Sequence, residues 1–190
     1  DGNNLPPETK GELVVRYSAE TPRLGAFTGY LKDDSATKEA WRGEWFHTGD
    51  IVYRANDGML HFVDRLKNII RRSGENIAAA EVEGVLQECK EVEQVAVIAA
   101  PDPIREEEVM ACVVLTDGYI PDIDQAIKLF KYSDKKLSYF KSPGWIMFLD
   151  FLPKTGSQKI QKHLILNDKD KSESGSYTYD LRHLKRRPSS

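Results

Sequence analysis

The stretch DRLKNIIRRSGENIAAAEVEGVLQECKEVEQVAVIAA, residues 64–100, decides the fold. Asn68 to Arg72 (NIIRR) is a candidate strand, and Ser73-Gly74-Glu75-Asn76 supplies a turn. From Ala78 to Cys89 the apolar residues Val82, Val85, Leu86 and Cys89 fall at i, i+3, i+4 and i+7, which is one face of a helix. Val92 to Ala100 (VEQVAVIAA) then reads as a buried strand. A strand, a turn, a helix and a second strand in such quick succession call for a small sheet covered by helices.

The pattern continues downstream. Val109 to Thr116 (VMACVVLT) is another buried strand, set off by Pro101-Asp102-Pro103 and by the acidic run Glu106-Glu107-Glu108, which suits a bulged hairpin edge. A second helix opens near Asp122, with Ile123, Ile127 and Phe130 at i, i+4 and i+7. The breaker Ser142-Pro143-Gly144 precedes a strand at Trp145 to Leu149, and a short helix runs from Ile160 to Leu166. Beyond Leu166 the composition turns polar without periodicity and ends in Arg182, Lys185, Arg186 and Arg187. Residues 167–190 are therefore predicted to be a disordered tail, with a basic docking tail as the alternative.

Upstream of Lys67 the signals are those of short strands. Glu12 to Tyr17, Glu44 to Phe46, Asp50 to Arg54 and Met59 to Val63 are apolar enough for strands, and Asn56-Asp57-Gly58 marks a hairpin turn. Ser35 is a candidate cap for a short helix carrying Ala36, Ala40 and Trp41. The expected class is α+β: a β-rich segment over 1–64, then a compact α+β domain over 65–166.

The chain has 190 residues, 40% hydrophobic and 30% charged, enough for one good core or two small ones. Its 27 Lys+Arg against 30 Asp+Glu leave a net charge of -3, so no overall basic field favours nucleic acid or an anionic membrane. No apolar run approaches the roughly 20 residues of a membrane-spanning helix. The start DGNNLPPETKGE has no leader pattern, and the expected location is cytoplasmic. Cys89 and Cys112 have no ligand spacing, so both are expected to be buried thiols and no metal site is expected.

Three clusters carry polar residues that a core strand or a tight loop does not require. In GEWFHTGDIV, residues 43–52, Asp50 follows Thr48-Gly49 at a strand start, where a carboxylate accepts two hydrogen bonds and suits vicinal ribose hydroxyls. The same HTGD also fits a plain turn with a capping Asp. In residues 64–77, Arg65, Lys67, Arg71 and Arg72 crowd one glycine turn, or else form a solvated face. In LPKTGSQKIQKHLI, residues 152–165, Lys154, Lys159 and Lys162 cluster around a turn fixed by Pro153 and Gly156, without an acidic neighbour. Mobile ammonium groups beside free backbone N–H groups at a helix start favour a phosphate.

In combination and order, these motifs resemble the C-terminal third of the adenylate-forming (AMP-binding) enzymes. They run as GEL, W-F-H-T-G-D, D-R-x-K, S-G-E-N-I, A-E-V-E, and P-K-T with a lysine four residues after Thr155. Within that superfamily, GENI after DRLKNIIRRS looks most like the fatty and carnitine-type acyl-CoA ligases. The resemblance implies that a carboxylate attacks the α-phosphate of ATP, with Mg2+ as cofactor, to give acyl-adenylate and pyrophosphate; the thiol of CoA then displaces AMP. It implies that Asp50 and Arg65 bind the nucleotide and that Lys67 is the hinge of a mobile C-terminal domain. It further implies that Ser73 and Gly74 contact CoA, and that Lys159 matches the catalytic lysine and also touches nucleotide.

There are two departures. Gln158 stands where the family has Gly, and no phosphate loop such as S-G-T-T-G-x-P-K occurs. The resemblance therefore implies a partner, an N-terminal body supplied in cis or in trans, with residues 1–64 as its last β-rich part. Activity of this chain alone is not expected. The competing reading is a non-catalytic binding or regulatory module that keeps the fold, or one half of a split enzyme.

Overall fold

The computed structural model describes residues 3–166 and 177–186, and the class is α+β. The chain divides into two compact units, Asp1–Lys67 and Asn68–Ser190.

The first unit contains β1 (Gly11–Val15), α1 (Asp34–Ala40), β2 (Phe46–Arg54) and β3 (Leu60–Arg65). The strands form an antiparallel sheet in the order β1-β2-β3. The hairpin between β2 and β3 closes where expected: Ala55 N donates to Met59 O at 2.9 Å, and Gly58 has φ +88. Two local expectations need correction. The cap of α1 is Asp33, whose carboxylate accepts from Ala36 N at 2.9 Å, the spacing that a cap requires and that Ser35 lacks. Glu44 is not extended, because Gly43 and Glu44 take φ values of 57 and 63 and bend the chain before β2 begins. Among the described residues of this unit Trp41 is the one buried apolar side chain, its indole N–H donating to Phe27 O at 3.1 Å. Leu24, Leu31, Met59, Leu60 and Phe62 are all more than half exposed.

The second unit contains β4 (Ile69–Arg72), β5 (Glu75–Ala78), α2 (Ala79–Gln87), β6 (Val92–Asp102), β7 (Glu106–Leu115), α3 (Ile123–Lys136), β8 (Trp145–Phe148), α4 (Lys162–Ile165) and β9 (Tyr177–Asp180). β7 is the hub. It pairs with β6 antiparallel and β8 parallel, and meets β4 where Arg72 faces Glu106. Glu75 and Asn76, expected within a turn, instead open β5 against β4. The reversal is tighter than the residue types suggest, because Ser73 and Gly74 absorb it alone with φ values of 49 and 83.

β6 and β7 read as continuous apolar runs because both faces of the sheet are covered. Val95, Val97, Val109, Ala111 and Val113 pack with Val82 and Leu86 of α2 and Leu129 and Phe130 of α3. The alternate residues Ala96, Ile98, Met110, Cys112 and Val114 pack with Leu152 and Ile165. Both cysteines are buried thiols, and burial, helped by Glu91 and Glu88, pushes the Cys89 thiol up to about 11.

The tail is where the structure corrects the sequence most. Tyr177–Asp180 adds to β8 as an antiparallel edge strand, and Leu181 is fully buried. Arg182–Leu184 follow as a 3-10 turn, and 167–176 and 187–190 lie outside the described residues. An alternation as short as Tyr179 and Leu181 gives little periodic signal, and the segment is held by carboxylates far upstream.

One of these is Glu108, which is fully buried and is not the solvated acid that an EEE run suggests. It accepts from Arg72 Nε at 2.8 and 2.9 Å and from Lys185 Nζ at 2.6 Å, and the same ammonium donates to Phe140 O at 3.1 Å. Burial pushes Lys185 down to about 8; Glu108 opposes the shift, while Arg72 and Arg105 add to it. A base whose folded pKa is depressed penalises the folded state at low pH, so its contribution to stability improves as pH rises from about 8 toward its ordinary 10.5. Melting temperatures of the native chain and Lys185→Met at pH 7 and 9.5 check this: the native chain is expected to gain relative to the variant at the higher pH. A gap independent of pH would refute it.

Candidate functional site

In the first unit the site is built on the β2 start. Thr48 Oγ donates to Leu13 O at 2.7 Å and accepts from Asp50 N at 3.1 Å. Glu12 Oε1 accepts from Gly49 N at 3.2 Å, and Glu12 Oε2 lies 2.8 Å from His47 Nδ1. Gly49 has φ +71, a conformation that favours glycine. This frame fixes Asp50 directly opposite Arg65 in the β2–β3 register. Arg65 Nε stands 2.8 Å from Asp50 Oδ1 but off the hydrogen-bonding line, so the oxygen has an ion pair and no hydrogen bond. Asp50 Oδ1 is itself buried beneath this contact, while the Asp50 and Arg65 side chains as wholes are 26% and 55% exposed.

Reading single clusters misses the role of Glu12 and Arg42. Arg42 Nη2 lies 3.0 Å from His47 Nδ1 and 3.8 Å from Glu12 Oε2, so a strand and a turn distant in sequence hold the Asp50 loop together. The Glu of GEL was the available signal. Lys67 is exposed, lies in a 3-10 turn at Leu66–Asn68, and ends the first unit.

In the second unit Ser73 and Gly74 form the exposed turn between β4 and β5, beside the Glu106 end of β7. The segment that carries Lys159 leaves β8 at the other end of β7, where Phe148 faces Val113, a strand length of roughly 20 Å away. It folds into a tight hairpin. Thr155 N donates to Lys159 O at 2.8 Å, Gln158 N to Thr155 O at 2.9 Å, and Gln161 N to Pro153 O at 2.8 Å. Lys159 N donates to Thr155 Oγ at 3.1 Å, which locks the backbone at the lysine itself. Gln158 has φ 65, the left-handed conformation that a Gly adopts without strain.

Lys159 is exposed, and its ammonium makes no ion pair among the described residues. Lys162, by contrast, pairs with Glu83 of α2 at 2.7 Å, so the expected cluster of three unpartnered lysines is corrected. Glu83 is far away in sequence, and β6, which both α2 and α4 contact and whose Val97 N donates to Glu83, brings the two together. Among the described residues no acidic, His or Cys group is arranged to hold a metal, and no helix is long and apolar enough to cross a membrane.

Residues 81–159 match the AMP-binding enzyme C-terminal domain. The chain is 42% identical over 161 residues to a feruloyl-CoA synthase of Amycolatopsis sp, covering 85% of this chain and 31% of that protein. It is 36% identical over 162 residues to a crotonobetaine/carnitine–CoA ligase of Proteus sp., covering 84% and 30%. Among solved structures, o-succinylbenzoate CoA synthetase from Bacillus subtilis, in complex with its acyl-adenylate intermediate, superposes with a TM-score of 0.72 at 31% identity; the match covers 86% of this chain and 31% of that one. The chain spans less than a third of the length of these relatives. The chain belongs to the adenylate-forming acyl-CoA synthetases, of which it carries the C-terminal portion.

Proposed function

We propose that this chain is the C-terminal part of an ATP-dependent, AMP-forming acid-CoA ligase and that it works with an upstream body. The observation that carries the reading is Lys159, an exposed ammonium without an ion-pair partner among the described residues, presented by a hydrogen-bonded hairpin at the end of the family match. A lysine ammonium is cationic at neutral pH and offsets charge that gathers as a carboxylate approaches the α-phosphate. Asp50, whose side chain is partly exposed and held beside Arg65, would accept from the ribose hydroxyls, and Arg65 would face the ribose and phosphate side. Mg2+ would enter on the nucleotide phosphates, which suit a cation that keeps most of its waters.

The second step needs a different group near the acyl carbon. We assign the Ser73–Gly74 turn to CoA and Lys67 to the hinge that exchanges the turn for Lys159. The body that would supply the acid pocket is supported by the first unit itself. A unit with Trp41 as the one buried apolar side chain among its described residues, and with Leu31, Met59 and Phe62 exposed, has too little core to stand alone, and its apolar surface fits a larger partner.

The test is carboxylate-dependent exchange of pyrophosphate into ATP. The chain joined to an adenylate-forming body is expected to support exchange, and the chain alone is not. Absence of exchange with every carboxylate class in the joined protein would remove the ligase reading, and strong exchange by the chain alone would remove the need for a body.

A further inference from the structure

The Ser73–Gly74 turn is held along two lines of contact, and both end on one short segment. Along the first, Ser73 N donates to Arg105 O at 3.1 Å. Arg105 lies in the β6–β7 turn, which Asp102 shapes by accepting from Ile104 N and Arg105 N, each at 2.9 Å. The other oxygen of Asp102 accepts from Arg182 Nη1 at 2.8 Å. Along the second line, Arg72, the residue before Ser73, donates to the buried Glu108, and Glu108 accepts from Lys185.

Arg182 opens a 3-10 turn, Arg182–Leu184, that follows β9, and Lys185 caps it by donating its N–H to Arg182 O at 3.2 Å. The turn is anchored independently of its charges, since Leu181 is fully buried and its N–H donates to Gly144 O at 2.9 Å. Arg182 also lies 4.5 Å over the Trp145 ring and is gripped by Asp180, so its guanidinium arrives at Asp102 already oriented. Burial works to raise the Asp102 pKa, but hydrogen bonds from Ile104 N, Arg182 and Arg105 N outweigh it and hold the carboxyl below its ordinary value. The carboxylate is therefore charged when it binds both the turn and the arginine.

We propose that residues 177–186 form a strap whose Arg182 and Lys185 act as positioning residues for the Ser73–Gly74 turn. Ser73 takes φ 49, a conformation that costs a non-glycine residue about 1 kcal/mol and persists where its surroundings over-determine it. The two lines supply that constraint, one through the Ser73 N–H and one through its neighbour Arg72. The strap lies beyond residue 159, where the family match ends. For the reaction, the proposal rests on the assignment of this turn to CoA. The strap would hold the turn ready for the acceptor and leave the adenylation step alone.

Two measurements separate the proposal from that assignment. The first is amide hydrogen exchange in Arg182→Met and Lys185→Met versions of the chain. The Ser73 amide is expected to exchange about tenfold faster in each variant, the size of one lost charge-assisted hydrogen bond, while the amides of Val97 and Val113 hold their rates. Ser73 exchange unchanged in both variants, or a rise equally large at Val97 and Val113, would overturn the strap. The second uses the chain joined to its body and follows thioester formation from preformed acyl-adenylate. The KM for CoA is expected to rise about tenfold with adenylate formation unaltered, the same hydrogen-bond-sized loss read at the acceptor step. Faster Ser73 exchange with an unaltered CoA step would uphold the strap and remove the turn from the CoA site.

Discussion

Replacing Lys159 by Ala in a ligase that contains this chain is expected to slow acyl-adenylate formation by on the order of 100-fold or more. Thioester formation from preformed acyl-adenylate is expected to keep its rate. The asymmetry follows from charge. In the first step an anionic carboxylate meets an anionic phosphate, and a preorganised ammonium is worth most where like charges converge. In the second step the leaving group is already AMP and the nucleophile is a thiol, so the Lys159 hairpin has no corresponding task. Folding should not confuse the result. Lys159 is exposed and without an ion-pair partner among the described residues, and surface substitutions of that kind change stability by about 0.5 kcal/mol or less. Single-turnover measurement of each half-reaction decides it, and equal losses in both would end the assignment.

Glu108→Ala is expected to be the most destabilising single change in the second unit. Glu108 is fully buried and, among the described residues, is the acid that Arg72 and Lys185 share, with side chains 7% and 2% exposed. Removing it leaves two buried cations facing each other without a counter-charge. Breaking a buried ion pair from one side costs about 3–5 kcal/mol, and at about 3–6 °C per kcal/mol for a unit of this size the melting temperature should fall on the order of 10–30 °C. Gly144→Ala should act at the same place. A Cβ there would stand 2.5 Å from Glu108 Cγ and 2.6 Å from Cδ, and that side chain is pinned by its hydrogen bonds and cannot swing aside. Thermal unfolding of both variants tests the account. A loss below about 1 kcal/mol for Glu108→Ala would show that the two cations find water or another acid.

The same buried acid shows why some of this architecture was legible in the sequence and some was not. Val82, Val85, Leu86 and Cys89 announce α2 because helical periodicity is a local property, and β6 and β7 announce themselves as apolar runs. The order of motifs around Asp50, Arg65 and Lys159 was equally legible, since a tight turn or a strand start restricts which residues can occupy it. Glu108 was not, because it stands in a run of three glutamates that any local reading assigns to solvent. Lys162 was placed with the other lysines for the same reason, although Glu83 neutralises it.

The sequence by itself determined the class, the two-part organisation of the motifs and the family, because these depend on the types and spacing of neighbouring residues. Tertiary structure alone decided which charges remain available and which are consumed. Asp50 faces Arg65 across a hairpin, Lys159 stays open, and Glu108 and Asp102 are taken by Lys185 and Arg182 from a segment that carried no periodic signal. The physical reason is distance. A hydrogen-bonded turn is written in a few adjacent residues, whereas the partner of a charge depends on where the fold returns the chain many residues later, and the strength of that pairing depends on whether water has been excluded.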